Sequence, residues 1–191
     1  MRLLYLIGLA YVAVSAYALK RGPVLIEGPD DEYYEYGDPN QGAASWYRQI
    51  KPYCNTLEIE TALRKRPPPE SLGGVGFSAA CYALAGRINE ARQRILTLDE
   101  ERYWKAAGIV FAVGHPIADM GDDKSAGPIM ELVIEFWPNH YQALYHAGAA
   151  RFKLGDDELA EQHLRQFLEY YDEKDGWVMA ARSMLKKLEA R

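Results

Sequence analysis

The stretch from His115 to Asp123 gathers the residue types best suited to chemistry: one imidazole, His115, and three carboxylates, Asp119, Asp122 and Asp123. Such a set could attract a cation. Its spacing is not that of an EF-hand loop, whose bidentate glutamate must follow the central glycine at a fixed distance. Asp122, Asp123 and Ser125 read more simply as caps and favourable charges at the start of a following helix. His140, His146 and His163 come later, with no HExxH or other ligand spacing among them. Spacing alone reveals no Ser-His-Asp or Cys-His arrangement. Gly74-Val75-Gly76 looks faintly like a dinucleotide fingerprint, but three prolines precede it instead of a strand, so the phosphate-cradling mechanism fails. The residues therefore specify no catalytic group, no metal ligand set and no cofactor. A non-enzymatic role is expected, with a metal-dependent sensor or enzyme using residues 115–123 as an alternative. The net charge of -5 supplies no basic face, so a nucleic-acid partner is not expected. Cys54 and Cys81 lack a CxxC spacing and are too few for a disulfide scaffold. They are either a pair, if the domain is exported, or two small buried apolar side chains.

Three segments must position these residues. Residues 1–21 hold a charge-free apolar run from Leu3 to Leu19, with Arg2 before it and Lys20-Arg21 after it. Its length just reaches what a helix needs to span a bilayer, and Tyr5 and Tyr17 could sit at the two interfaces. The alternative is a secretory signal cut near Ala16-Tyr17-Ala18. Either way the remainder is expected to be exported: periplasmic or extracellular if anchored, secreted if cleaved. Residues 22–44, rich in Gly, Pro, Asp and Asn, read as an extended linker. From 45 to 191 the apolar residues fall at helical spacing. Trp46, Tyr47 and Ile50 form one stripe, and Pro52 can open a second helix. Leu57, Ile59, Ala62 and Leu63 form a stripe stopped by Pro67-Pro68-Pro69. A glycine-rich loop is expected over 71–76, then a helix to Ala85 broken at Gly86. Asp99 is a plausible cap for the helix of Tyr103, Trp104, Ala107 and Phe111. A longer loop precedes the helix of Ile129 to Trp137. No segment alternates with period two, so the fold is expected to be all-α.

The helical segments repeat. Gly86, Ala91, Ile95 and Leu98 close one hairpin, and Gly155, Ala160, Leu164 and Phe167 close another. The two alanines lie 69 residues apart, about twice the period of about 34 for tetratricopeptide repeats. Between them, Trp104-x-x-Ala107-Gly108-x-x-Phe111 and then Ala126, Met130, Val133 and Pro138 supply a middle unit, and Leu144, Ala147 and Gly148 begin the third. In this spacing the chain from about 52 to 190 resembles the tetratricopeptide-repeat family of helical hairpins. The resemblance implies an α-solenoid of about three hairpins with a C-terminal capping helix, Trp177 to Leu188. It further implies a groove lined by the first helices of successive hairpins. Carried onto this sequence, the groove positions are Arg102, Lys105, Gln142, Tyr145, Phe152 and Lys153, fit to grip an acidic or carboxylate-ending peptide. In the same frame Cys54 and Cys81 can be neighbours, and a disulfide is expected if the domain is exported. The expected function is a protein-binding scaffold of the cell envelope, or else an accessory subunit of a larger membrane complex.

Overall fold

The computed structural model describes residues 42–190. The expected anchor over 1–21 and nearly all of the linker over 22–44 lie outside the described residues. Within them no strand occurs, and no helix is long and apolar enough to cross a membrane. The helices are α1 (Ala43–Ile50), α2 (Ile59–Lys65), α3 (Leu72–Leu84), α4 (Ile88–Ile95), α5 (Tyr103–Asp119), α6 (Asp123–Phe136), α7 (Tyr141–Leu154), α8 (Asp157–Tyr170) and α9 (Gly176–Leu188). The first begins two residues before the expected domain start at 45. Pro52 opens no long helix; it sits in a single 3-10 turn, Lys51–Tyr53.

Side chains fix most helix starts. Ser71, Asp122, His140, Asp156 and Asp175 each accept a backbone N–H from the first turn of α3, α6, α7, α8 and α9, satisfying donors that the helix itself leaves unpaired. Asp99 does not cap α5; its carboxylate holds Arg102 at 2.6 Å, and a 3-10 turn over Glu100–Arg102 leads into the helix. Three helix ends close on glycines with positive φ, Gly86 at 72°, Gly121 at 79° and Gly155 at 81°, where a side chain would be strained.

Two expected loops are helical. Residues 72–76 form the first part of α3, with Gly73, Gly74 and Gly76 buried. A Cβ on Gly74 would fall 2.0 Å from the Pro69 carbonyl oxygen, and one on Gly76 2.4 Å from Ile109 Cδ1. These glycines are contact points between packed segments and mark no turn. The second expected loop, between Phe111 and Ile129, is instead the end of α5 and the start of α6, joined by Met120–Asp122 alone. Pro116 and Pro128 lie inside these helices. The carbonyls that lose their usual donors belong to Ala112 and Lys124, both exposed, where water replaces the missing N–H.

The helices pack largely in chain order: α3 against α4 and α5, α5 against α6, α6 against α7, and α7 against α8, with α9 across α7 and α8. Small residues sit at the closest approaches. Ala91, Ala106, Ala107, Ala126, Ala147 and Ala160 are essentially inaccessible, and Gly148 lies against Leu164. Removing side-chain bulk there lets neighbouring helices approach while Ile95, Met130, Leu144 and Phe167 fill the remaining space. At the N-terminal end, Tyr47, Ile50, Ile59 and Leu63 surround Cys54 and Cys81. These two are joined by a disulfide with Cα atoms 4.8 Å apart.

Candidate functional site

The six groove positions fall at different stations. Arg102 ends the 3-10 turn with its guanidinium on Asp99. One turn on, exposed Lys105 places Nζ 5.3 Å from the Trp104 ring centroid, and Trp104 meets Trp137 edge-on at 5.4 Å. Gln142 and Phe152 are half-buried on α7. Tyr145 is shielded by α9, its ring 4.6 Å from Trp177 and 5.3 Å from Phe167. Lys153 reaches back to the start of α6, 2.6 Å from Asp123 Oδ2. Its charge acts on Tyr145, so these two share a neighbourhood. Arg102 and Lys105, at the opposite end of the hairpin from Asp123, form a separate basic pair.

Between these stations α5 and α7 bring together His115, Asp119 and His146. His115 and Asp119 are one helical turn apart on α5 and so share a face; His146 comes from α7. The Nε2 atoms of His115 and His146 lie 3.4 and 3.7 Å from Asp119 Oδ1. One ligand atom from each residue falls within 4.8 Å of the other two. Both Nε2 atoms are buried, and neither has a hydrogen-bond partner. Aromatic rings build the walls. Phe111 stacks on His115 at 4.7 Å, and Trp177 stands edge-on to His146 at 5.3 Å. Burial, reinforced by the nearby His115 and partly opposed by Asp119 and Asp123, brings His146 down to about 4. At neutral pH the ring is therefore uncharged, the form in which imidazole ligates metals. His140 is likewise brought to about 4, chiefly by burial, and its Nδ1 is taken by the Ala143 N–H.

On the other side of α7 a second polar group joins the last two hairpins. Arg151 bonds Glu131 through two nitrogens, Nη2 at 2.6 Å, and reaches Asp156 through Nη1 at 3.0 Å. His163 Nε2 stands 3.8 Å from Glu131. Burial alone would raise the Glu131 carboxyl, but hydrogen bonding and charge from His163 and Arg151 outweigh it and hold it at about 2. Beside it α6 and α8 border a cleft of about 400 Å³, lined by Glu131, Glu135, Leu144 and Gln162 among others. It opens widely to solvent, and the charged groups at its edge pair with one another, while His163 Nδ1 is buried without a hydrogen-bond partner.

Spacing showed His115 and Asp119 in one suggestive stretch but not their partner. His146 lies on a different helix, and only the packing of α5 beside α7 delivers it. The readable signal was the i,i+4 pair, visible once 112–119 is taken as helix. Compared with family models, curated proteins and solved structures, the chain matches none.

Proposed function

We propose that the chain is a non-enzymatic scaffold that holds a partner protein in the cell envelope, built as an α-solenoid of tetratricopeptide-like hairpins. The observation that carries this reading is the order of packing. Each hairpin rests on the next, with alanine or glycine at the recurring close contacts. An array assembled this way presents helix faces in series, a geometry suited to extended peptides and protein surfaces. Exposed Lys105 beside the Trp104–Trp137 pair supplies a cation next to aromatic surface, the combination that anchors protein interfaces. The charge-free run from Leu3 to Leu19 supports tethering to, or export across, a membrane. The Cys54–Cys81 bond supports an oxidising compartment for the helical domain.

A photo-crosslinking side chain placed at Lys105, at Gln142 and, as control, at exposed Lys187 on α9 tests the reading in native membranes. The expected result is one discrete protein adduct from the first two positions and none from the third. Equal products from all three, or none from any, would overturn it.

A further inference from the structure

We propose that His115, Asp119 and His146 form a binding site for a divalent first-row transition-metal ion, with Zn2+ as the best-matched member. The proposal stands on three features of the cluster. The first is convergence. Two helices that meet only through tertiary packing bring two imidazole nitrogens close to one carboxylate oxygen.

The second is the state of those nitrogens. The His146 side chain is 9% exposed, and its Nε2, like that of His115, is buried without a hydrogen-bond partner. Buried polar atoms are almost always partnered, so two orphans side by side require an explanation. A shared metal ion satisfies both at once. The neighbouring charges do not compete for the role, since Asp123 is engaged by Lys153 at 2.6 Å. The His140 Nδ1 is occupied by the Ala143 N–H.

The third is size. Tetrahedral zinc with bonds of about 2.0–2.1 Å holds its ligand atoms about 3.3 Å apart. Two edges of the triangle already stand at 3.4 and 3.7 Å. The third, between the two imidazoles, is bounded only by the 4.8 Å span of the cluster and must close to about 3.3 Å, a movement that falls to His115, 25% exposed against 9% for His146. The donor set chooses among metals. Two imidazoles and one carboxylate suit zinc and its first-row neighbours, whereas calcium and magnesium favour all-oxygen shells. Three protein ligands leave a coordination position open on the exposed Asp119 side, where water completes the shell. A plain helix-surface contact between His115 and Asp119 would need neither His146 nor buried nitrogens on both rings.

The test uses the full-length chain, free of any histidine tag, in mild detergent. Calorimetric titration with ZnCl2 is expected to show one equivalent bound with a micromolar or lower Kd, undisturbed by a hundredfold excess of Mg2+ or Ca2+. Asp119→Asn, at an exposed position, and His146→Gln should each weaken binding at least tenfold. Circular dichroism checks that each variant stays helical. X-ray absorption on the zinc-loaded parent, which needs no variant, should show two imidazoles in the shell. No saturable binding at 100 µM Zn2+, undiminished affinity in a folded Asp119→Asn chain, or a shell without two imidazoles would each overturn the proposal.

Discussion

Gly148→Ala probes the contact on which the stacking depends. A Cβ added at Gly148 would lie 2.7 Å from Leu164 Cγ, 2.9 Å from Cδ2 and 3.1 Å from the Leu164 backbone nitrogen. Leu164 is fully buried, so its side chain has no open volume to move into, and the backbone nitrogen moves only if α8 shifts. Forcing a methyl group into such a contact costs about 1–3 kcal/mol. Alanine returns up to about 1 kcal/mol because it favours the helix over glycine. With a backbone atom among the neighbours, the net expectation is a loss of about 1–2 kcal/mol, or several degrees in Tm for a domain of this size. The control is Gly176→Ala. No heavy atom lies within 4 Å of its added Cβ and its φ is not in the left-handed range. That variant should gain a few tenths of a kcal/mol. Urea unfolding followed by helical circular dichroism reads both. Equal stabilities for Gly148→Ala and the parent, or an equal loss in the two variants, would refute the idea that glycine is required there by close helix approach.

Three further outcomes are expected. Glu131→Gln should cost on the order of 2–3 kcal/mol at pH 7, because the folded carboxyl sits at about 2 instead of its ordinary 4.5. A depressed carboxyl contributes fully above its unfolded pKa and loses that contribution as pH falls. The gap between variant and parent should therefore shrink from about pH 5 downward and nearly vanish by about pH 2; a gap constant with pH would contradict the assignment. Replacing Cys54 and Cys81 by alanine opens a loop with sequence separation 27 and should lower stability by about 3.5 kcal/mol, read as a urea midpoint that no longer responds to reductant. Asp175→Ala removes both the α9 cap and the acceptor of the Tyr171 hydroxyl at 2.7 Å. It should lower Tm modestly and move the Tyr171 ultraviolet titration from about 12 back toward 10.

Periodicity made the helical class and most of the hairpins legible. Gly86 and Gly155 were read as helix ends and serve as such, because a positive φ is a local demand that local sequence announces. The failures also involve glycine and proline. Gly73, Gly74 and Gly76 were read as punctuation, yet they are small because Pro69, Ile109 and Ala43 press on them. The longer loop expected before Ile129 holds Pro116 and Pro128, yet both sit inside helices, each four residues after an exposed residue. Whether such a residue ends a helix or is absorbed by it depends on what lies beside it, and a linear pattern does not carry that. The same limit hid His146. Its partners were named in one stretch, but the distance between α5 and α7 is a property of packing.

The sulfur bridge also sets how tension runs through the domain. A pull on the chain from the N-terminal side can peel away α1 and the 3-10 turn only as far as Cys54. From there the covalent bond passes the load straight to Cys81, near the end of α3. The segment between the two cysteines, α2 and most of α3 included, is bypassed and carries no strain. A domain held by its leading end is thereby gripped, once α1 has given way, at the helix that rests on α5, and α2 is spared from unravelling next.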